Sequence, residues 1–159
     1  MTSQDFRAAM RRLPGGVSII TTVDGTEPVG MTVTSASSLS ADPPSLLVCV
    51  NQSGSMHSAI TSASHFTVNI LGRDHIETAQ KFSDPSQRET RFASDDWKMD
   101  EAGVRYFEPA NASFVCRLVE KVHFGTHTIC IGEVERIRMA DGEEPLIYFD
   151  GAYRDLKPA

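Results

Sequence analysis

Strand-forming runs follow one another along this chain with almost no helix between them, and that order limits the fold more than any other feature. VSIITTV (17–23) is rich in β-branched residues and is followed by Asp24-Gly25 and then by PVGMTVTSASSLS (28–40). Two β-prone runs around an Asp-Gly pair read as a hairpin. Pro43-Pro44 breaks the chain before SLLVCVN (45–51), a continuous apolar run that suits a strand buried on both faces. HFTVNIL (65–71) follows. The last third holds ASFVCRLVEKVHFG (112–125), THTICIGEVERIRM (126–139) and PLIYFDGAY (145–153), with Asp141-Gly142 and Asp150-Gly151 as turn signals. A parallel sheet needs a crossover, usually a helix, between successive strands. Those helices are missing, so roughly six or seven strands with about three short helices imply a mainly β barrel.

The helical stretches are brief. Phe6, Ala9, Met10 and Leu13 fall at i, i+3, i+4 and i+7, the stripe of a short helix over 6–13 that Pro14, Gly15 and Gly16 close. The Ser-rich stretch 53–62 and residues 74–82, with Ile76, Ala79 and Gln80 on one side, predict two more. From Ser83 to Ala102 the chain is polar and long for a structureless connection, so it is functional or partly helical.

A chain of 159 residues fits one domain, taken as 1–159, and 40% hydrophobic with 23% charged residues is the balance of a globular protein. A formal charge of −6 with no basic block argues against nucleic acid as a partner. Cys49, Cys116 and Cys130 form no Cys-x-x-Cys pair and lie in apolar runs, where a free thiol acts as a small hydrophobe and fits a reducing compartment. MTSQDFRAAMRRL lacks the apolar centre of a signal peptide and no run reaches membrane-spanning length, so a cytoplasmic protein with no membrane contact is expected.

Three groups of residues have the chemistry of a site. Thr32, Thr34, Ser35, Ser37, Ser38 and Ser40 supply hydroxyls at six of the nine positions 32–40. Hydroxyls and main-chain N–H groups hold a phosphate or the polar edge of a ring without formal charge. Strand alternation puts Thr32, Thr34 and Ser38 on one face, with Ser35 and Ser37 on the other. Asn51, Gln52, Ser53, Gly54 and Ser55 follow a core strand, where small residues let main-chain donors approach a ligand. His127, beside Gly125, is placed to position a ring or buffer charge. Each group has a plainer reading: an exposed polar strand, a turn into a helix cap, and a half-exposed strand histidine. His123 stands four residues before His127, but no carboxylate or cysteine at matching spacing completes a metal site. His57, His65 and His75 suit solvated or capping roles. Neither G-x-G-x-x-G, nor a P-loop, nor a G-x-S-x-G elbow occurs, so no Rossmann dinucleotide site and no serine nucleophile is encoded.

The ordered segments FRAAMRRLPGGVSIITT, PVGMTVTSASSLSADPPSLLVCVN, HFTVNIL, QKFS, RF, GTHTICIGEV and PLIYFDGAY, from about Phe6 to Leu156, resemble the flavin reductase-like family. These are the short NAD(P)H:flavin oxidoreductases that serve two-component monooxygenases. The resemblance implies a six-stranded antiparallel Greek-key split barrel that binds FMN or FAD near the interface of a homodimer. NADH or NADPH would be the hydride donor, and an oxygenase component would receive reduced flavin by diffusion. By position, Thr32 to Ser38 would line the flavin ring and ribityl chain. Asn51, Ser53 and Ser55 would meet the ribityl and phosphate, Phe82 and Ser83 would pack near the ring, His127 would contact the nicotinamide, and Tyr153 would close the site. Thr126 stands where the family often has Asp, which leaves the orientation of His127 open. The stretch with Arg88, Arg91, Asp95, Asp96 and Trp97 reads as a mobile lid over the nicotinamide, or as an exposed loop without a role. Two alternatives share the barrel: reduction of a bound substrate such as a corrinoid through a tightly held flavin, and a non-catalytic flavin- or haem-binding module.

Overall fold

The computed structural model describes residues 1–141 and 144–156; Gly142, and with it the Asp141-Gly142 turn, lies outside the described residues. The chain opens with helix α1 (Ser3–Met10), then strands β1 (Gly15–Gly16), β2 (Ser18–Asp24), β3 (Glu27–Val33), β4 (Ala36–Ala41) and β5 (Pro44–Asn51). Helix α2 (His57–Ser62), β6 (His65–Ile70), a 3-10 turn (Arg73–His75) and helix α3 (Ile76–Ser83) follow. After a second 3-10 turn (Pro85–Thr90) come β7 (Trp97–Met99), β8 (Arg105–Phe107), β9 (Ala112–Phe124), β10 (His127–Met139), β11 (Ile147–Phe149) and β12 (Ala152–Arg154). No helix among the described residues is long and apolar enough to cross a membrane.

Seven strands form the main sheet in the order β3-β2-β6-β9-β10-β5-β4, and every pairing is antiparallel. Its two edge strands, β3 and β4, are separated in sequence only by Thr34 and Ser35. A flat sheet of that order would hold its edges about 29 Å apart at about 4.8 Å per gap. Three Cα steps reach only about 11 Å. The sheet therefore curls until its edges meet, giving a barrel split along the β3/β4 seam. The run 28–40, read above as one strand, breaks here, and this raises the strand count of the main sheet to seven.

Adjacent residues of β2 face opposite sides and seed two cores. Ile20 joins Val48, Val50, Ile60, Phe66, Val68, Cys116 and Cys130 inside the barrel, whereas Ile19 packs outside it with Leu71, Ala79, Phe82, Trp97 and Phe107. Burial pushes the Cys116 thiol up to about 12 and that of Cys130 up to about 11, so both stay protonated at neutral pH and serve as packing groups.

Helix α1 begins three residues earlier than the apolar spacing implies. Thr2 caps it by accepting from the Asp5 main-chain N–H at 3.1 Å, while the Asp5 carboxylate accepts from the Thr2 N–H at 2.8 Å. The helix buries none of its residues, and the stripe of Phe6 and Met10 faces outward.

The polar stretch 83–102 is partly helical (Pro85–Thr90) and largely exposed, Arg88, Asp95 and Asp96 included, but it is anchored by buried Arg91, Trp97 and Asp100. Trp97 is buried at 4% exposure, with ring centroids 4.9 Å from Phe82, 5.0 Å from Phe92 and 5.0 Å from Phe107. Arg91 is buried, and its guanidinium donates to the carbonyls of Gly30 (2.8 Å), Asp84 (2.9 Å) and Lys81 (3.2 Å). Asp100 then ties the β7–β8 turn to β10 by accepting from Arg136 (2.6 Å) and Arg138 (2.8 Å). Burial alone would raise the Asp100 carboxyl; the hydrogen bonds from Arg136, the Ala102 N–H and Arg138 outweigh it and bring it down to about 2.

Candidate functional site

The β11–β12 hairpin lies over the barrel seam and makes the site. Its turn, Asp150-Gly151, has φ values of 48° and 81°, the left-handed pair of a tight two-residue connection. The hairpin is held down by β1, where Gly15 pairs with Tyr148 and Gly16 with Ile147. A Cβ at Gly15 would stand 3.0 Å from the Thr34 Cβ, so glycine is what lets this strand approach the seam. Cross-strand pairing of Tyr148 with Tyr153 sets the two rings edge-on, with centroids 5.4 Å apart.

Beneath the hairpin is a cavity of about 550 Å³, a size that takes an organic ligand. Thr32, Thr34, Ser83 and Tyr153 meet in its walls, with Val17, Val33 and Ala152 as apolar surface. Four of the residues marked by sequence are thus brought together from β3, the seam after it, α3 and β12. The Thr32 hydroxyl donates to the Ala79 carbonyl at 2.6 Å, which anchors α3 to β3, and the Ser83 hydroxyl donates to the same carbonyl at 2.9 Å within α3. Their hydrogens are engaged, so their free lone pairs act as acceptors. Burial pushes the Tyr153 phenol up from its ordinary value, opposed by the Ser83 hydroxyl, and the neutral phenol is a donor at neutral pH. Gln80 and Tyr148 also line the cavity and were not marked by sequence; the pairing across the Asp150-Gly151 turn was the signal for Tyr148.

A second group lies at the barrel end. His127 pairs with Asn51 in the β10–β5 ladder, and its side chain is exposed. The Thr126 hydroxyl meets His127 Nδ1 at 2.9 Å, so a neutral hydroxyl orients the ring where the family often has a carboxylate. The Ser53 N–H and hydroxyl both donate to Asn51 Oδ1 at 2.9 Å, leaving the Asn51 amide N–H₂ as the available donor. The Ser35 hydroxyl turns to the Cys49 carbonyl at 2.9 Å and stitches the seam to β5, two residues from Asn51. Seam and barrel end are thereby neighbours, separated by roughly 7 Å of strand.

The other marked residues fall elsewhere, Ser40 among them. Ser37 and Ser38 lie on β4, an edge strand, and line a separate, mostly apolar cavity of about 360 Å³ with Leu46, Val68, Phe114 and Val134. The break at Thr34–Ser35 interrupts the alternation that grouped Ser38 with Thr32 and Thr34. Ser55 opens onto another cavity, of about 200 Å³, beside Arg88, Arg91 and Met56. Phe82, expected near the ring, does not line the cavity beneath the hairpin. The side chain is 1% exposed and its ring fills the space over Gly30, so it offers no surface to the cavity. His57 and His123 also gain a partner that sequence did not suggest, since the buried Thr128 hydroxyl lies 2.8 Å from a ring nitrogen of each.

The model of the Flavin reductase like domain family matches residues 10–157. Over 158 residues the chain is 37% identical to the reductase component of the FADH(2)-dependent resorcinol hydroxylase of Rhizobium sp. (strain MTP-10005), covering 98% of this chain and 88% of that one. It is 36% identical over 152 residues to an FMN reductase (NADH) of Variovorax paradoxus (strain S110), covering 96% and 84%. Among solved structures, the NADH:FAD oxidoreductase of Streptomyces globisporus C-1027, in complex with NAD and FAD fragments, superposes with a TM-score of 0.89 at 30% identity. That match covers 98% of this chain and 93% of the other.

Proposed function

The chain belongs to the flavin reductase like domain family, and on that premise we propose that it acts as one domain, in the cytoplasm, as an NAD(P)H:flavin oxidoreductase serving a separate oxygenase component. The observation that carries the reading is the cavity under Tyr153, where acceptor hydroxyls from Thr32 and Ser83 face a donor phenol across apolar walls. That donor set fits FMN or FAD, whose ring is flat and apolar on its faces and polar at its edge. A flavin held there would supply the acceptor for hydride from NADH or NADPH, with one proton taken up, and its reduced form would be the product released to the oxygenase.

The chain's own part is to hold and orient the two rings. Thr32, Thr34, Ser83 and Tyr153 would hold the polar edge of the ring, and Asn51 with Ser53 the ribityl and phosphate. His127, steadied by Thr126, would meet the nicotinamide. Because the hydride acceptor is the flavin, no side chain has to act as a nucleophile. The work left to the protein is alignment of donor and acceptor at near-attack distance. The homodimer rests on the family membership; Val122 and Phe124 near the β9–β10 turn and Ile137 and Met139 at the far end of β10 are exposed apolar surface available to a second copy.

Gel filtration tests both claims at once. The protein is expected to elute at twice its 17.4 kDa chain mass, free of flavin, and to oxidise NADH only when flavin is added back, with a rate that saturates. A monomer would contradict the assembly, and retained flavin that turns over only with some further acceptor would contradict the diffusible product.

A further inference from the structure

Helix α1 buries nothing of its own, yet it borders the cavity system. The cavity under Tyr153 runs past Thr34, Tyr148 and Gly151 into a second one of about 300 Å³, whose far wall is Arg7, Met10, Arg11 and Leu13. Arg7 and Arg11 are four residues apart on one helix and so share a face. No ion pair among the described residues takes up either guanidinium. The carboxylate on the same wall is that of Asp150, whose main-chain N–H donates to the Arg11 carbonyl at 3.2 Å and pins the helix end to the β11–β12 turn. In a chain of net charge −6, two unpaired guanidiniums opening onto the extension of a ring-sized cavity form a local anion site. Their planar forks suit phosphate oxygens.

We infer that Arg7 and Arg11 form a subsite for the pyrophosphate of an adenine dinucleotide bound at the Tyr153 cavity, either the flavin itself or the nicotinamide donor stacked on it. This rests on the flavin reductase reading. The pyrophosphate has two possible sources of identical chemistry, the adenylate arm of the nicotinamide donor and that of FAD.

The test compares wild type with the Arg7→Ala/Arg11→Ala double variant. ADP, titrated calorimetrically with no flavin and no turnover, is expected to bind the variant about tenfold or more weakly, as loss of charged hydrogen bonds implies. Steady-state kinetics then identify the source. A KM for NADH that rises with FMN and with FAD alike assigns the subsite to the nicotinamide donor; a KM that rises for FAD but not for FMN assigns it to the flavin. Far-UV circular dichroism checks folding, and if the alanine pair unfolds, Arg7→Gln/Arg11→Gln takes its place. ADP affinity that is undetectable in wild type, or equal in both proteins, overturns the inference. Wild type that binds ADP in an arginine-dependent way but oxidises no NADH with added flavin overturns the flavin reductase reading and leaves the subsite standing.

Discussion

Asn69→Leu is expected to lower the stability of this protein by about 3–5 kcal/mol. Asn69 lies at the middle of β6 with no exposed surface, and its amide makes four hydrogen bonds. Nδ2 donates to the Ile19 carbonyl at 2.9 Å and to the Thr67 hydroxyl at 3.1 Å; Oδ1 accepts from the Phe107 N–H and from the Ser113 hydroxyl, both at 2.8 Å. Leucine has about the same volume, so the cavity contribution is small, and the cost comes from partners left dry. The Ser113 hydroxyl keeps the Phe107 carbonyl at 3.2 Å. The buried Phe107 N–H and the Ile19 carbonyl lose this partner, and a buried polar group without one costs roughly 1–3 kcal/mol. Against a total of about 5–15 kcal/mol for a typical domain, that is a large share. Denaturant unfolding should show a much lower midpoint at unchanged slope. A midpoint within error of wild type would show that Asn69 does not tie β2 and β8 to β6.

The longer strands were legible where turn residues bounded them, whereas the short β1, β7 and β8 were not read as strands. Asp24-Gly25 and Asp150-Gly151 both close hairpins, and Pro44 opens β5 after the Pro43 break. The seam was not legible. Thr34 and Ser35 are as much at home in a strand as in a break, and only the crossing from one sheet edge to the other reveals that the chain turns there. The same limit explains Phe82. The run around Ile76, Ala79 and Gln80 gave a helix but not the direction of its inner face, which depends on Trp97 and Phe107, well downstream. The anchoring of 83–102 was hidden for a related reason. Arg91 is satisfied by three main-chain carbonyls, partners that carry no signal in side-chain composition. Thr32 and Thr34 were marked by the hydroxyl cluster, and Ser83 and Tyr153 by the family resemblance; the fold places all four on one cavity, while Arg7 and Arg11 were hidden because a stripe of apolar residues defined their helix.

His127→Ala is expected to lower kcat/KM for NADH by roughly tenfold to a hundredfold, the equivalent of about 1–3 kcal/mol of lost hydrogen bonding. Its side chain is exposed at the end of β10, held at Nδ1 by the Thr126 hydroxyl at 2.9 Å, so the substitution removes no core contact. The loss should appear with either flavin as acceptor and leave the KM for flavin nearly as it was. Thr126→Val keeps the imidazole but frees its orientation, and a smaller loss of the same kind is expected. Equal kinetics in wild type and His127→Ala would remove His127 from the site.

If reduced flavin leaves the protein, the fate of the electrons will show it. The protein is mixed anaerobically with NADH and a large excess of flavin, with no other acceptor, and bleaching of the free flavin is followed. The account predicts many flavins reduced per chain. One flavin reduced per chain, held until another acceptor arrives, would contradict it.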